Sequence, residues 1–247
     1  MVVKMPRDPA DGDLIEREAV APRQLPKDGP RRFPPYVPRP VETLLHRDPV
    51  TGVRRRANVI ARLKGFYSLA EVRAAHPDGP DPRDAAWMRR RLLVALGFAH
   101  RAGVLHGAVL PEHVLIHPGP HGLVLIDWCR SVPGCYAGTD PSGRVPAMVD
   151  RYADWYPDEV PGRRRAGPAT DISMATRCMT HLMADKAPTA LRRFARGCTL
   201  PAQSRRPDDA WRLPAELDEV LERLYGPRRF RPFRMPPVPG RTATPEH

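Results

Sequence analysis

HGAVLPEHVLI (His106–Ile116), followed closely by LVLIDWC (Leu123–Cys129), is the stretch from which the rest of this chain is read. It lies inside Leu92–Val132. There, helical spacing gives way to a tight polar turn, a short apolar strand, a second turn, and another apolar strand that ends on one aspartate, Asp127. Just upstream, apolar residues at 87, 88, 92, 93, 96, 98 and 99 recur at helical spacing. They predict a long helix capped at Asp84 and running through Ala102, with one broad face buried.

Toward the N-terminus, Ser68 begins SLAEVRAAH as a cap, with Glu71 at the third position of a capping box. Gly65–Leu69 reads as the connection that precedes it. Tyr36–His46 and Val53–Leu63 read as two strands around the turn-rich DPVTG, and residues 26–40 as an irregular proline-rich link. Val2-Val3-Lys4 is a short β-like run. Helical spacing starts at Asp13 in LIEREAV, with Asp11 or Asp13 as its cap, and Pro22 predicts an early end. Toward the C-terminus, Arg130–Trp155 is rich in Gly and Pro and weakly periodic. PATDISMATRCMTHLM predicts a buried helix capped by Thr170 or Asp171, and ALRRFARGCTL a short basic one. A final helix is capped near Asp208, and Pro227–His247 reads as an Arg- and Pro-rich arm, partly disordered.

The 247 residues suffice for one large domain or two small lobes. Apolar content of 41% places the chain far from the disordered class. The net charge is +12, carried by 36 arginines and only four lysines. Such a charge can dwell on nucleic acid, but the arginines are scattered and no aromatic residues interleave with them. Nucleic acid is therefore the least favoured partner. The cysteines, Cys129, Cys135, Cys178 and Cys198, have no zinc-type spacing and read as small buried apolar residues. His113, His117 and His121 likewise match no standard metal spacing. No run of apolar residues reaches membrane-spanning length, and the start lacks a signal-type core, so a cytoplasmic protein is expected.

The central stretch resembles the catalytic loop of protein kinases, His-Arg-Asp-Leu-Lys-Pro-Glu-Asn-(Val/Ile)-Leu. His106, Pro111, Glu112, Val114 and Leu115 match, and Val109 is a like-for-like change. Trp155–Val160 looks like the family's Ala-Pro-Glu motif, with Glu159 as its glutamate. The resemblance implies an α+β bilobal fold: residues 1–64 a reduced N-lobe (the family's third strand, its helix and strands four and five, without the glycine-rich hairpin), 65–226 a mainly helical C-lobe, and 227–247 a tail. It pairs Lys4 with Glu18 at the nucleotide, assigns metal to Asp127 with His113, and gives structural roles to His106, Asp171 and a buried Glu159–Arg206 pair. Arg205 is the lesser candidate for that pair.

Four positions depart: Gly107 for Arg, Ala108 for the catalytic Asp, Leu110 for the catalytic Lys, and His113 for the metal-binding Asn. Ala108 accepts no proton, Leu110 carries no charge, and His113 offers nitrogen where magnesium prefers oxygen. The resemblance to the bacterial serine/threonine kinase family therefore implies a pseudokinase: a regulatory scaffold for a protein partner that holds ATP and Mg²⁺ weakly or not at all. One alternative is a divergent ATP-dependent kinase or small-molecule phosphotransferase, with Glu112, Asp150, Asp154 or Asp158 as substitute acids. A second is a basic nucleic-acid-binding protein.

Overall fold

The computed structural model describes residues 1–25, 36–134 and 142–238, and the chain is a mixed α+β protein. The first part is built on a three-stranded antiparallel sheet in the order β1-β3-β2, from β1 (Val2–Lys4), β2 (Pro40–Arg47) and β3 (Arg54–Ile60). Val3 stands opposite Val59, and Leu45 opposite Arg56. Asp48 makes the hairpin turn, its carboxylate accepting from the amides of Val50 and Thr51 at 2.9 and 2.8 Å. The strand expected from Tyr36 starts only at Pro40. Tyr36 is 2% exposed, and its carbonyl accepts from the Leu125 amide, so it is held in the core rather than in this sheet.

Helix α1 (Gly12–Gln24) packs on β3. It runs on past Pro22, correcting the expected early stop and forgoing one main-chain hydrogen bond. Its expected caps also move: Asp8 caps the short 3₁₀ turn that leads in, accepting from the Ala10 amide at 2.9 Å, and Asp13 lies within the first turn of the helix.

The second part begins at β4 (Tyr67–Ser68) and α2 (Leu69–Ala75), joined by the expected capping box. Ser68 Oγ accepts from the Glu71 amide at 3.1 Å, and Glu71 Oε2 accepts from the Ser68 amide at 2.7 Å. Helix α3 (Pro82–Arg101) is capped by Asp81, with Pro82 in the first turn. Asp84, the expected cap, instead lies buried within that turn. The face carrying Met88, Leu92, Leu93 and Leu96 is fully buried, and α3 packs on α4 (Pro168–Met183). At Gly97 a Cβ would meet the Trp211 ring, so glycine lets that ring lie on the helix. Gly167 precedes α4, and its amide donates to Thr170 Oγ1 at 3.1 Å. Thr170 and Asp171 are therefore first-turn residues rather than caps.

Four short strands frame the segment between α3 and α4. β5 (Val104–Leu105) pairs with β8 (Val132–Pro133), and β6 (Val114–His117) pairs with both β4 and β7 (Gly122–Leu125). Helices α5 (Thr189–Cys198) and α6 (Leu213–Tyr225) complete this part. Asp209, next to the expected cap Asp208, accepts from the Trp211 amide at 2.8 Å ahead of α6.

Residues 227–238, in the tail expected to be a partly disordered arm, run as a strap anchored at Phe233 and Arg231. Phe233 is 7% exposed, with its ring against His76 and Trp87, and Arg231 pairs with Asp81 at 3.3 Å. Cys129, Cys178 and Cys198 are buried free thiols, and the expectation for Cys135 falls outside the described residues. So do most of the irregular link at 26–40 and the last residues of the tail. Among the described residues no helix is long and apolar enough to cross a membrane.

Candidate functional site

Three elements bring charged side chains to one point. Lys4 ends β1, Glu18 lies on α1, and Asp127 follows β7 in a left-handed conformation (φ 62°). Lys4 Nζ donates to Glu18 Oε1 at 2.9 Å and to Asp127 Oδ1 at 2.6 Å. The spacing read from the sequence thus corresponds to a real pair, with Asp127 as third member. Asn58 was missed. It stands opposite Lys4 on β3, is buried, and donates to the Ile15 carbonyl at 2.8 Å and to Glu18 Oε2 at 3.4 Å. It locks α1 to the sheet at the height of the lysine; a lone polar residue in RANVI was the only signal.

Burial opposes charge on Lys4, but Asp127 and Glu18 outweigh it and hold the ammonium well above its ordinary range. Burial would raise the Asp127 carboxyl, yet the hydrogen bond from His113 and the charge of Lys4 hold it far below the usual carboxylate range.

His113 lies in the turn before β6. Its Nδ1 faces the Ala108 carbonyl at 2.8 Å and its Nε2 faces Asp127 Oδ2 at 3.1 Å. Both of its ring nitrogens thus face acceptors, which ties the ring between the loop and Asp127. Arg130 Nη1 is 3.9 Å from the same Asp127 oxygen. Both oxygens of Asp127 are thus engaged by cations of the chain itself.

The residues present do not fit a divalent ion. Glu18, Asp127 and Cys129 do lie within 4.8 Å of one another. The Lys4 ammonium, however, bridges the two carboxylates, His113 directs its nitrogen at Asp127, and burial pushes the Cys129 thiol up, away from thiolate. A metal here would have to displace a partly buried cation. Asp127 and His113, expected to hold metal, instead contact each other at 3.1 Å.

The loop that carries His113 is built tightly. Ala108 and Leu110 are fully buried. Asp171 on α4 accepts from the amides of His106 and Gly107 at 2.8 and 2.9 Å and hydrogen-bonds His100 Nε2 at 2.9 Å. Its carboxyl is lowered: burial would raise it, and the His100 hydrogen bond and charge outweigh that. Gly107 has φ 73°, and a Cβ there would run into the Arg130 carbonyl. An arginine at 107 is incompatible with this backbone.

His106 is fully buried beside Trp128, its Nε2 3.0 Å from the Ile126 carbonyl and its Nδ1 accepting from the Ala108 amide at 3.3 Å. Burial pushes it down to about 4, so it is neutral. Glu159 accepts from Arg206 Nη2 at 2.6 Å and from Thr170 Oγ1 at 2.8 Å, in a wholly buried pair. Arg206, and not Arg205, is the partner. Glu112, a candidate substitute acid, pairs with Arg151. His117 packs edge-on against Phe66 and His121 stacks on Trp87, so these histidines serve separate contacts.

No protein-family model matches the sequence, and no curated protein matches it significantly.

Proposed function

We propose that this chain is a protein-kinase-like domain, bilobal with a reduced N-lobe, that has lost phosphoryl transfer and acts as a binding and regulatory scaffold. The observation that carries the reading is the state of Asp127. It is the one metal-binding residue the family's motif leaves unchanged at this site, and Lys4 and His113 already engage both of its oxygens.

Phosphoryl transfer on such a fold is chiefly positioning and charge neutralisation by metal, lysine and a carboxylate base. Ala108 and Leu110 stand at the base and lysine positions, fully buried and without polar atoms to offer. Loss of general-base assistance alone removes about 10²–10⁴ in rate. Glu159–Arg206 and Asp171, which brace the loop, are intact, so the frame persists where the reacting groups have gone. The ligand to seek is a protein partner, and at the Lys4–Asp127 site ATP binds weakly or not at all.

Thermal unfolding with and without ATP and Mg²⁺ tests this. A ligand present at its Kd adds only about 0.4 kcal/mol. At 1 mM ATP·Mg²⁺ the Tm should therefore rise by less than about 2 °C. A large magnesium-dependent rise, or radiolabelled phosphate transfer that disappears in Asp127→Ala, overturns the reading.

A further inference from the structure

A cavity of about 710 Å³ lies between α3, α6 and the strap, and none of the Lys4–Asp127 cluster lines it. That is the size of a small-ligand site. Its wall combines aromatic faces (Trp87, Tyr225, Phe230) with five arginines. Arg83, Arg90 and Arg231 pair with Asp81, Asp218 and Asp81 in turn. Arg228 and Arg229 are exposed and have no acidic partner among the described residues. Asp218 and Glu222 also line the wall, so its five arginines outnumber its carboxylates by three.

Deeper in the wall, Trp87 and His121 are 8% and 9% exposed and stack in parallel, with centroids 4.0 Å apart and planes 7° apart. Trp87 Nε1 and His121 Nε2 are both buried without a hydrogen-bond partner among the described residues. Buried polar atoms in folded proteins are normally partnered. The His121 ring already bonds the main chain at Arg231, and burial lowers it toward the neutral form. Its free nitrogen is therefore an acceptor, whereas the Trp87 nitrogen is a donor.

Aromatic faces, unpaired arginines and, on two wall residues, one buried donor and one buried acceptor match a flat, anionic molecule with a polar edge. We propose that this cavity binds a nucleoside monophosphate, its base edge on Trp87 and His121 and its phosphate on Arg228 and Arg229. Inorganic phosphate lacks the base, and a nucleoside lacks the charge.

Isothermal titration of the full chain with AMP and GMP, beside adenosine and inorganic phosphate, tests this. At least one nucleotide should bind saturably, tenfold or more tighter than adenosine and inorganic phosphate. Arg228→Glu/Arg229→Glu, at exposed positions, should weaken it at least tenfold. Trp87→Phe, which keeps a ring but removes the N–H, should weaken it threefold or more. Arg192→Glu/Arg193→Glu on α5, an equal change of charge elsewhere, should leave it unaltered. No binding at millimolar nucleotide, or equal binding of adenosine or inorganic phosphate, overturns the proposal. So does binding that survives Arg228→Glu/Arg229→Glu but is lost in Lys4→Met, which would assign the nucleotide to the Lys4–Asp127 site.

Discussion

His106 and His113 are the same kind of side chain a few residues apart, and the fold gives them different partners. His106 meets one acceptor and one donor and stays neutral, whereas His113 meets two acceptors. The neutral one makes stability depend on pH. In the unfolded chain a histidine titrates near 6.5, and in the fold His106 does so at about 4. Between those values the unfolded chain binds a proton that the fold excludes, so stability is lost as pH falls through that window. The loss from this residue is roughly 3 kcal/mol between pH 7 and pH 4. Urea unfolding at pH 7, 5.5 and 4 should show the decline, and His106→Gln should flatten it. His76, His121 and His181 are lowered too and act in the same direction, so a curve unchanged in His106→Gln would assign the dependence to them. Both positions were legible in the sequence as parts of a loop motif. Their hydrogen-bond partners were not, because those are carbonyls, an amide and a carboxylate brought up by the tertiary fold.

At the scale of elements, the Glu159–Arg206 pair ties the segment before α4 to the segment before α6 with both side chains out of water. Removing either partner leaves an uncompensated buried charge, and Glu159→Ala or Arg206→Ala should each cost about 3–5 kcal/mol in chemical denaturation. A loss below about 1 kcal/mol would show that the survivor finds another partner. The α2 capping box was readable from residue types at a fixed offset, whereas this pair and the Asp171 brace were readable only through the resemblance that assigns them. Helix starts were read less well. Asp84, Thr170 and Asp171 are all of cap-forming type, yet each lies inside a first turn. Thr170 and Asp171 serve long-range contacts with Glu159 and the His106–Gly107 amides, and Asp84 lies near Arg231. Residue type alone does not separate a cap from such a contact. Asn58 was invisible for a related reason: its partners lie on α1, which no local pattern in β3 reveals.

Over the whole molecule, segments far apart in sequence converge on the back of α3: His76, Trp87, His121 and Phe233 form one aromatic cluster around the Trp87–His121 stack. The composition of the tail, mostly Arg and Pro, suggested a partly disordered arm, and within residues 227–238 one buried phenylalanine anchors it. Ending the chain after Gly226 should therefore lower the Tm by several degrees, since losing a buried aromatic costs about 3–5 kcal/mol. An unchanged melting curve would show the strap to be dispensable. The same stack provides an internal optical reporter. Trp87 touches both the β6–β7 turn and the strap, so its emission should shift to longer wavelength when the strap leaves. Seating of the tail can then be followed in solution without any attached dye.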